Sequence, residues 1–224
     1  PLSSANSISL GRLLPQMSYY AHASLTHHAA TGRELNFVVP TGNLGNALAG
    51  ILARALGAPL GRIVLATNAN RVLPEFFAGD AYSPRPSVAT IANAMDVGAP
   101  SNFERLLWLY GGDEAALREG FTAIAVGDDL IRTTIRTRSQ LHGEVFCPHT
   151  ATAVHVLQEL RSDGTDGDWA VAATAHPAKF ESEVEPLVGH PVEVPPALAE
   201  LLARPAHADP VPPEYDALRD HLLR

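Results

Sequence analysis

The chain has 224 residues, enough to bury a sizeable core as one large domain or one with a small lobe. Apolar residues make up 46% and aromatics only 6%, which suits a layered α/β protein better than an all-β one. A net charge of -8 without a basic cluster argues against nucleic acid and anionic membranes, and no apolar run approaches membrane-spanning length. The one cysteine, Cys147, excludes an internal disulfide and predicts a reducing, cytoplasmic setting. Lys179 is the single lysine against fifteen arginines, so amine chemistry has one side chain to use.

In chain order, apolar residues at helical spacing predict a helix over 8–28, with Ser7 as cap and Pro15 imposing a kink or a late start. His27 and His28 read as its solvated end. A short buried strand over 36–40 precedes a helix over 46–56, stopped by Gly57 and Pro59. A second strand over 62–68 completes a βαβ unit and predicts a mainly parallel sheet within a three-layer α/β fold. Residues 78–100 read as loop with brief helical turns. A helix follows from Ser101 or Asn102 to Gly111, then further helices over 113–125 and 149–161. Residues 168–176 predict a buried strand, and Pro177 opens another helix. The tail is rich in Pro and Ala until a short helix over 215–223. The predicted division is a large domain over 1–190 and a tail over 191–224 whose helix packs on it.

Two stretches carry candidate chemistry. In "VVPTGNLGNALAG" a strand runs into a helix through Gly42, Asn43, Leu44, Gly45 and Asn46. No Gly-Lys-Ser/Thr follows, and the glycine spacing is not the dinucleotide fingerprint. Backbone N–H groups of residues 42–46 can converge on a phosphate at the helix start, where dipole and unpaired amides favour an anion. A tight turn capped by Asn46 reads the spacing equally well. Under the anion reading, a β-branched residue at Gly42 or Gly45 would crowd the ligand. In "ATAHPAKF" the Thr174 hydroxyl falls at the carboxyl end of a strand, where open parallel sheets place ligands. A cap before Pro177 is the plainer alternative. A phosphate cradle and a hydroxyl at neighbouring strand ends are the two grips that pyridoxal phosphate needs. No metal motif occurs, and His149 and His155 are spaced so that they do not face one another. Cys147 reads as a small buried side chain, and Arg105 as pinning a loop through a carboxylate.

Six ordered blocks between Ser3 and Phe180 resemble the threonine synthase family. They are "SANSISLGRLLPQMSYY", "VPTGNLGNALAG", "ATNANRVLPEFFAGDAY", "ANAMDVGAPSNFERLLWL", "CPHTATAV" and "TAHPAKF". The resemblance implies the large domain of a fold-type II pyridoxal-phosphate enzyme, similar to the tryptophan synthase β subunit. It implies conversion of O-phospho-L-homoserine and water to L-threonine and phosphate. It assigns cofactor binding to Gly42, Asn43, Leu44, Gly45, Asn46 and Thr174, with Asn6 and Ser7 as weaker candidates for lining the site. A neutral Thr174 hydroxyl would leave the ring nitrogen largely unprotonated. Family members are about twice this length, and their Schiff-base lysine lies in the N-terminal portion. Lys179 matches a different family lysine, so no catalytic residue is expected in this chain, which should not turn over without the N-terminal half. Leu44 stands where an aromatic is usual, and Arg71 where an aspartate is. A related phospho-lyase or a non-catalytic binder of phosphate or pyridoxal phosphate are the competing readings.

Overall fold

The computed structural model describes residues 6–205 and 208–223. Contacts divide the chain into one unit ending at Val192 and another beginning at Glu193. The first contains, in order, α1 (Leu10–Thr31), β1 (Leu35–Pro40), α2 (Gly45–Ala55), β2 (Leu60–Thr67), α3 (Val72–Ala78), α4 (Phe103–Leu109) and α5 (Glu114–Gly120). It continues with β3 (Thr122–Ala125), α6 (Asp128–His142), α7 (Pro148–Ser162), β4 (Asp168–Val171) and α8 (Glu181–Val188). The second unit carries α9 (Pro196–Leu202), which the Pro- and Ala-rich sequence did not suggest, and α10 (Tyr215–Leu222).

The four strands form one parallel sheet in the order β3-β2-β1-β4. Alternation along the central strands builds two cores. Phe37, Val39, Ile63 and Leu65 face α1 to α5, packing with Tyr20, Leu48, Ile51, Phe76 and Leu106. Val38, Val64 and Ala66 face the other way, onto Ile131, Ile135, Ala151, Val156 and Val184 of α6 to α8. Period-two side-chain direction therefore converts two short apolar runs into the middle layer of three.

Several elements depart from expectation for identifiable reasons. Ser7 does not cap α1; Ser9 holds that position without a side-chain bond, and the helix starts late, at Leu10, and runs through Pro15. His28 is exposed as expected, whereas the partly exposed His27 bonds Asp168 at 2.9 Å, where Arg33 also pairs at 2.8 Å. The helix expected over 113–125 breaks in two. Asp113 caps it by accepting from the Ala116 N–H at 3.0 Å, and after Gly120 the backbone extends at Phe121 (φ -140°) into β3. Edge pairing of Val64 with Thr122 overrides the helical pattern there. The strand near 168–176 is shorter than expected and lies at the sheet edge with only half-buried residues. Helices α3 and α6 had no counterpart in the reading above. The signal for α6 was present: Gly127, an acidic first turn of Asp128 and Asp129, and the buried stripe Ile131, Thr134, Ile135.

"ATNAN" has a structural task. The buried Asn68 amide donates to Thr90 Oγ1 (2.9 Å) and Asp96 Oδ1 (2.8 Å), while its carbonyl oxygen accepts from the Asn70 N–H (3.0 Å). Asn70 in turn exchanges hydrogen bonds with the Val88 backbone. Two amides thus fix residues 88–96, including a 3₁₀ turn at Asn93–Met95. Asn68→Ala is expected to destabilise the chain by about 1–3 kcal/mol, since it leaves several buried polar groups unpaired. A urea denaturation series measures this, and an unchanged midpoint would mean that the loop holds itself.

Candidate functional site

At the carboxyl ends of the strands lies a cavity of about 430 Å³. Its lining includes the whole stretch from Pro40 to Asn46, together with Ser7, Arg12, His149, Thr174 and Lys179. The two separate candidate stretches of the sequence therefore share one hollow, as open parallel sheets arrange their ligands. Arg12 and Lys179 bring positive charge to it from outside the loop, which spacing within the loop gave no means to foresee. Among the described residues, no aspartate or glutamate lines it.

The loop between β1 and α2 is held by side chains so that its own amides stay available. Thr41 closes β1 by donating its N–H to Ala66 O at 2.8 Å. Leu44 then adopts a left-handed conformation (φ 62°, ψ 0°), the only described non-glycine to do so. That geometry costs about 1 kcal/mol, and burial of the Leu44 side chain in the core secures it. Among the described residues, the N–H groups of residues 42–46 have no protein acceptor, and the helical ladder begins with Leu48 N–H to Leu44 O at 2.9 Å.

Asn43 is the clamp. Its oxygen accepts from Ser101 N–H (2.6 Å) and Ser101 Oγ (2.9 Å), and its nitrogen donates to Ser7 Oγ (2.7 Å) and Asn6 Oδ1 (3.3 Å). Asn102 donates to Asn43 O at 2.9 Å and to Ser7 Oγ at 3.1 Å. Asn102 stands at the N-cap of α4, but its side chain serves this junction and not the helix. Arg105 locks it by donating to Asn102 Oδ1 (2.8 Å), Ser7 O (3.3 Å) and Ile8 O. The arginine thus pins the segment through carbonyls, not through the expected carboxylate. Asn46 is gripped from α1 by Gln16, at 3.0 Å, and by Tyr19 and Tyr20. Burial raises the pKa of the Tyr20 hydroxyl, keeping it a neutral donor to Asn46.

The two glycines have a reason other than the expected one. A Cβ on Gly42 would lie 2.7 Å from the Met95 Cα, and one on Gly45 would lie 2.8 Å from the Ser7 Cβ. The close approach at each is by the protein itself, so a bulky substitution there disturbs packing whether or not a ligand binds.

At the opposite lip, Thr174 follows the edge strand β4 and is exposed to the cavity. Its N–H donates to Thr150 Oγ1 at 3.3 Å, and its hydroxyl lies 3.9 Å from Cys147 Sγ. Cys147 is 1% exposed and caps α7 by accepting from the Thr150 N–H at 3.4 Å. Burial pushes the thiol pKa up. His149, the Thr150 hydroxyl and amide and the Ala175 amide, all lying where they favour the ionised sulfur, outweigh burial and bring it down to about 6. His149 accepts the Ala94 N–H at Nε2 (3.0 Å), which leaves the proton on Nδ1. Neither Cys147 nor His149 had been placed at the site, because their relation is made by the turn into α7 and not by helical spacing. The charge reversal at Arg71 is accommodated on the surface, where the guanidinium lies 3.7 Å from Glu75.

Gly42→Ala is expected to lower the melting temperature, with an overpacking cost of about 1–3 kcal/mol. Gly50→Ala, whose Cβ would meet the Tyr20 ring at an easier 3.4 Å, should cost less. Equal melting of the two variants would show that the Met95 turn yields freely.

A family model described as "Threonine synthase, C-terminal" matches residues 150–222. The threonine synthase of Escherichia coli is 38% identical over 223 residues, spanning 99% of this chain and 51% of its own. Its crystal structure superposes with a TM-score of 0.83. The PLP-bound threonine synthase of Brucella melitensis is 34% identical with a TM-score of 0.79, covering 91% of this chain and 48% of its own. Tomato (Solanum lycopersicum) threonine deaminase isoform 2, at 13% identity and a TM-score of 0.53, shares the fold alone. The chain spans about half the length of the curated relatives it matches. Along its whole length the chain matches about half the length of these threonine synthases in sequence and fold, and residues 150–222 match the model of that family's C-terminal domain.

Proposed function

We propose that this chain supplies the cofactor-gripping side of a pyridoxal-phosphate-dependent threonine synthase. In the whole enzyme the reaction would convert O-phospho-L-homoserine and water to L-threonine and phosphate, in the cytoplasm. The observation that carries this reading is the pairing of acceptor-free amides at residues 42–46 with the Thr174 hydroxyl across one cavity.

The residues fit the cofactor. A dianionic phosphate satisfies several N–H groups at once, and the dipole of the eleven-residue helix α2 favours it there. Gly42, Asn43, Leu44, Gly45 and Asn46 would hold the phosphate by backbone, with the Asn43 side chain keeping the loop rigid. Thr174 would meet the ring nitrogen. Ser7 lines the cavity where substrate would lie, and Asn6 would act only through Asn43. When bound, pyridoxal phosphate supplies a conjugated ring that stabilises carbanions.

Lys179 lines the same cavity but sits five residues beyond Thr174, in the turn Pro177–Phe180. On this reading Lys179 would stand toward the ring-nitrogen end, and the reactive carbonyl carbon of the cofactor is para to that nitrogen. The catalytic lysine would come from the N-terminal half, and this chain alone should not turn over.

Titrating the chain with pyridoxal phosphate tests the reading. Inorganic phosphate should compete, and Thr174→Val should weaken binding by about 2- to 10-fold, the value of one neutral hydrogen bond. Borohydride treatment and peptide mapping should leave Lys179 unmodified. Binding indifferent to phosphate, or a reduced adduct on Lys179 accompanied by turnover of phosphohomoserine, would refute it.

A further inference from the structure

The cavity poses a problem of charge. A pyridine nitrogen takes a proton readily when an anion or a lone pair faces it, yet no carboxylate lines this cavity. The charged and titratable groups around Thr174 are His149 from α7, Lys179 from the turn after β4 and Arg12 from α1 across the hollow. Behind Thr174, out of contact with the cavity, sits the Cys147 sulfur.

That sulfur is surrounded by donors. The Thr150 N–H donates to it, and Thr150 Oγ1, which accepts the Thr174 N–H, lies 3.2 Å away with a hydrogen to offer once the sulfur is ionised. It also caps a fifteen-residue helix, whose amino end favours a negative charge. A second observation points the same way. His149 is 3% exposed and lines the cavity, its Nε2 is occupied by Ala94, and its Nδ1 has no partner of regular hydrogen-bond geometry. His149 nonetheless favours the ionised sulfur, and we read it as a weakly placed donor to that sulfur, not as a second base.

We infer that Cys147 is a positioning residue for the ring nitrogen of a bound phosphopyridine: its sulfur accepts the Thr174 hydroxyl hydrogen, so Thr174 turns a lone pair, and not a hydrogen, toward the ring. With a lone pair facing it, the ring nitrogen is held protonated, and the ring's positive charge is balanced by the buried thiolate. This reverses the expectation attached to a lone neutral hydroxyl. The inference rests on the cofactor reading above.

Because Cys147 is the single cysteine of the chain, its ionisation can be followed directly by ultraviolet thiolate absorbance. In the 224-residue chain the midpoint should fall near 6, against an ordinary 9.0. It should rise in Thr174→Val and return in Thr174→Ser. Pyridoxine 5′-phosphate, which lacks the aldehyde and needs no lysine, then reports the ring by its absorbance. In Cys147→Ser the bound ring should lose its proton at a pH lower by about one unit or more. Cys147→Asp, an anion that also caps helices well, should restore the wild-type value. A thiol titrating at its ordinary value, or a bound ring that titrates alike in wild type and Cys147→Ser, overturns the inference alone. Failure of pyridoxine 5′-phosphate to bind the wild-type chain instead removes the site reading, and the inference falls with it. Should Cys147→Ser not fold, the wild-type thiol titration with the two Thr174 variants decides.

Discussion

The arrangement depends on a backbone that must be rigid and unsatisfied at once. A buried amide without an acceptor costs about 1–3 kcal/mol, so a loop presenting several of them would collapse onto its neighbours if it were free to move. Here the collapse is blocked from every side. Asn43 spans from Ser7 to Ser101, Asn46 is held by α1, and the Met95 turn presses against Gly42. The residues that look decorative in sequence, such as the paired tyrosines, the "SNFER" string and the "ATNAN" string, are the scaffold for that restraint. Rigidity fixed before a ligand arrives lowers the entropic cost of binding it.

The rest of the chain supplies that restraint at long range. Arg105 reaches the carbonyls of residues 7 and 8, and Asn68 fixes the segment that carries Met95. Each contact joins sequence segments tens of residues apart. The polar groups in these junctions are nearly all neutral amides and hydroxyls.

Much of this was legible in the sequence, and the limits have physical causes. The apolar runs 37–40 and 63–66 within the expected strands read as central parallel strands, and the glycine-flanked loop between strand and helix marked the carboxyl edge. Short elements were harder. β3 has four residues and takes its identity from pairing with β2, a tertiary effect that no local pattern carries. Thr174 was placed at the correct end of a strand, but the strand was read as buried because alanines and a tryptophan look alike in a core and at an edge. Cys147 and His149 were passed over because helical spacing was asked about a turn. Gly42 and Gly45 were read correctly as positions of close approach, while the identity of the approaching group, Met95 or Ser7 in place of a ligand, is a fact of three dimensions.

The strand order has a further effect, on when the molecule becomes itself. β1 meets β2 through a single intervening helix, whereas β4 pairs with β1 in the register Leu35 to Asp168, from the far end of the unit. Closing the longer loop costs more entropy and is slower. The topology therefore favours early formation of the β1–α2–β2 unit, followed by the clamps that Met95, Ser101 and Asn102 place on its loop, and late arrival of Thr174 after the last strand. On the ribosome the same order is enforced by synthesis, since the cradle emerges long before residue 168 is made. A nascent chain thus holds the loop after β1 well before it has made the residue that lies across the cavity from it.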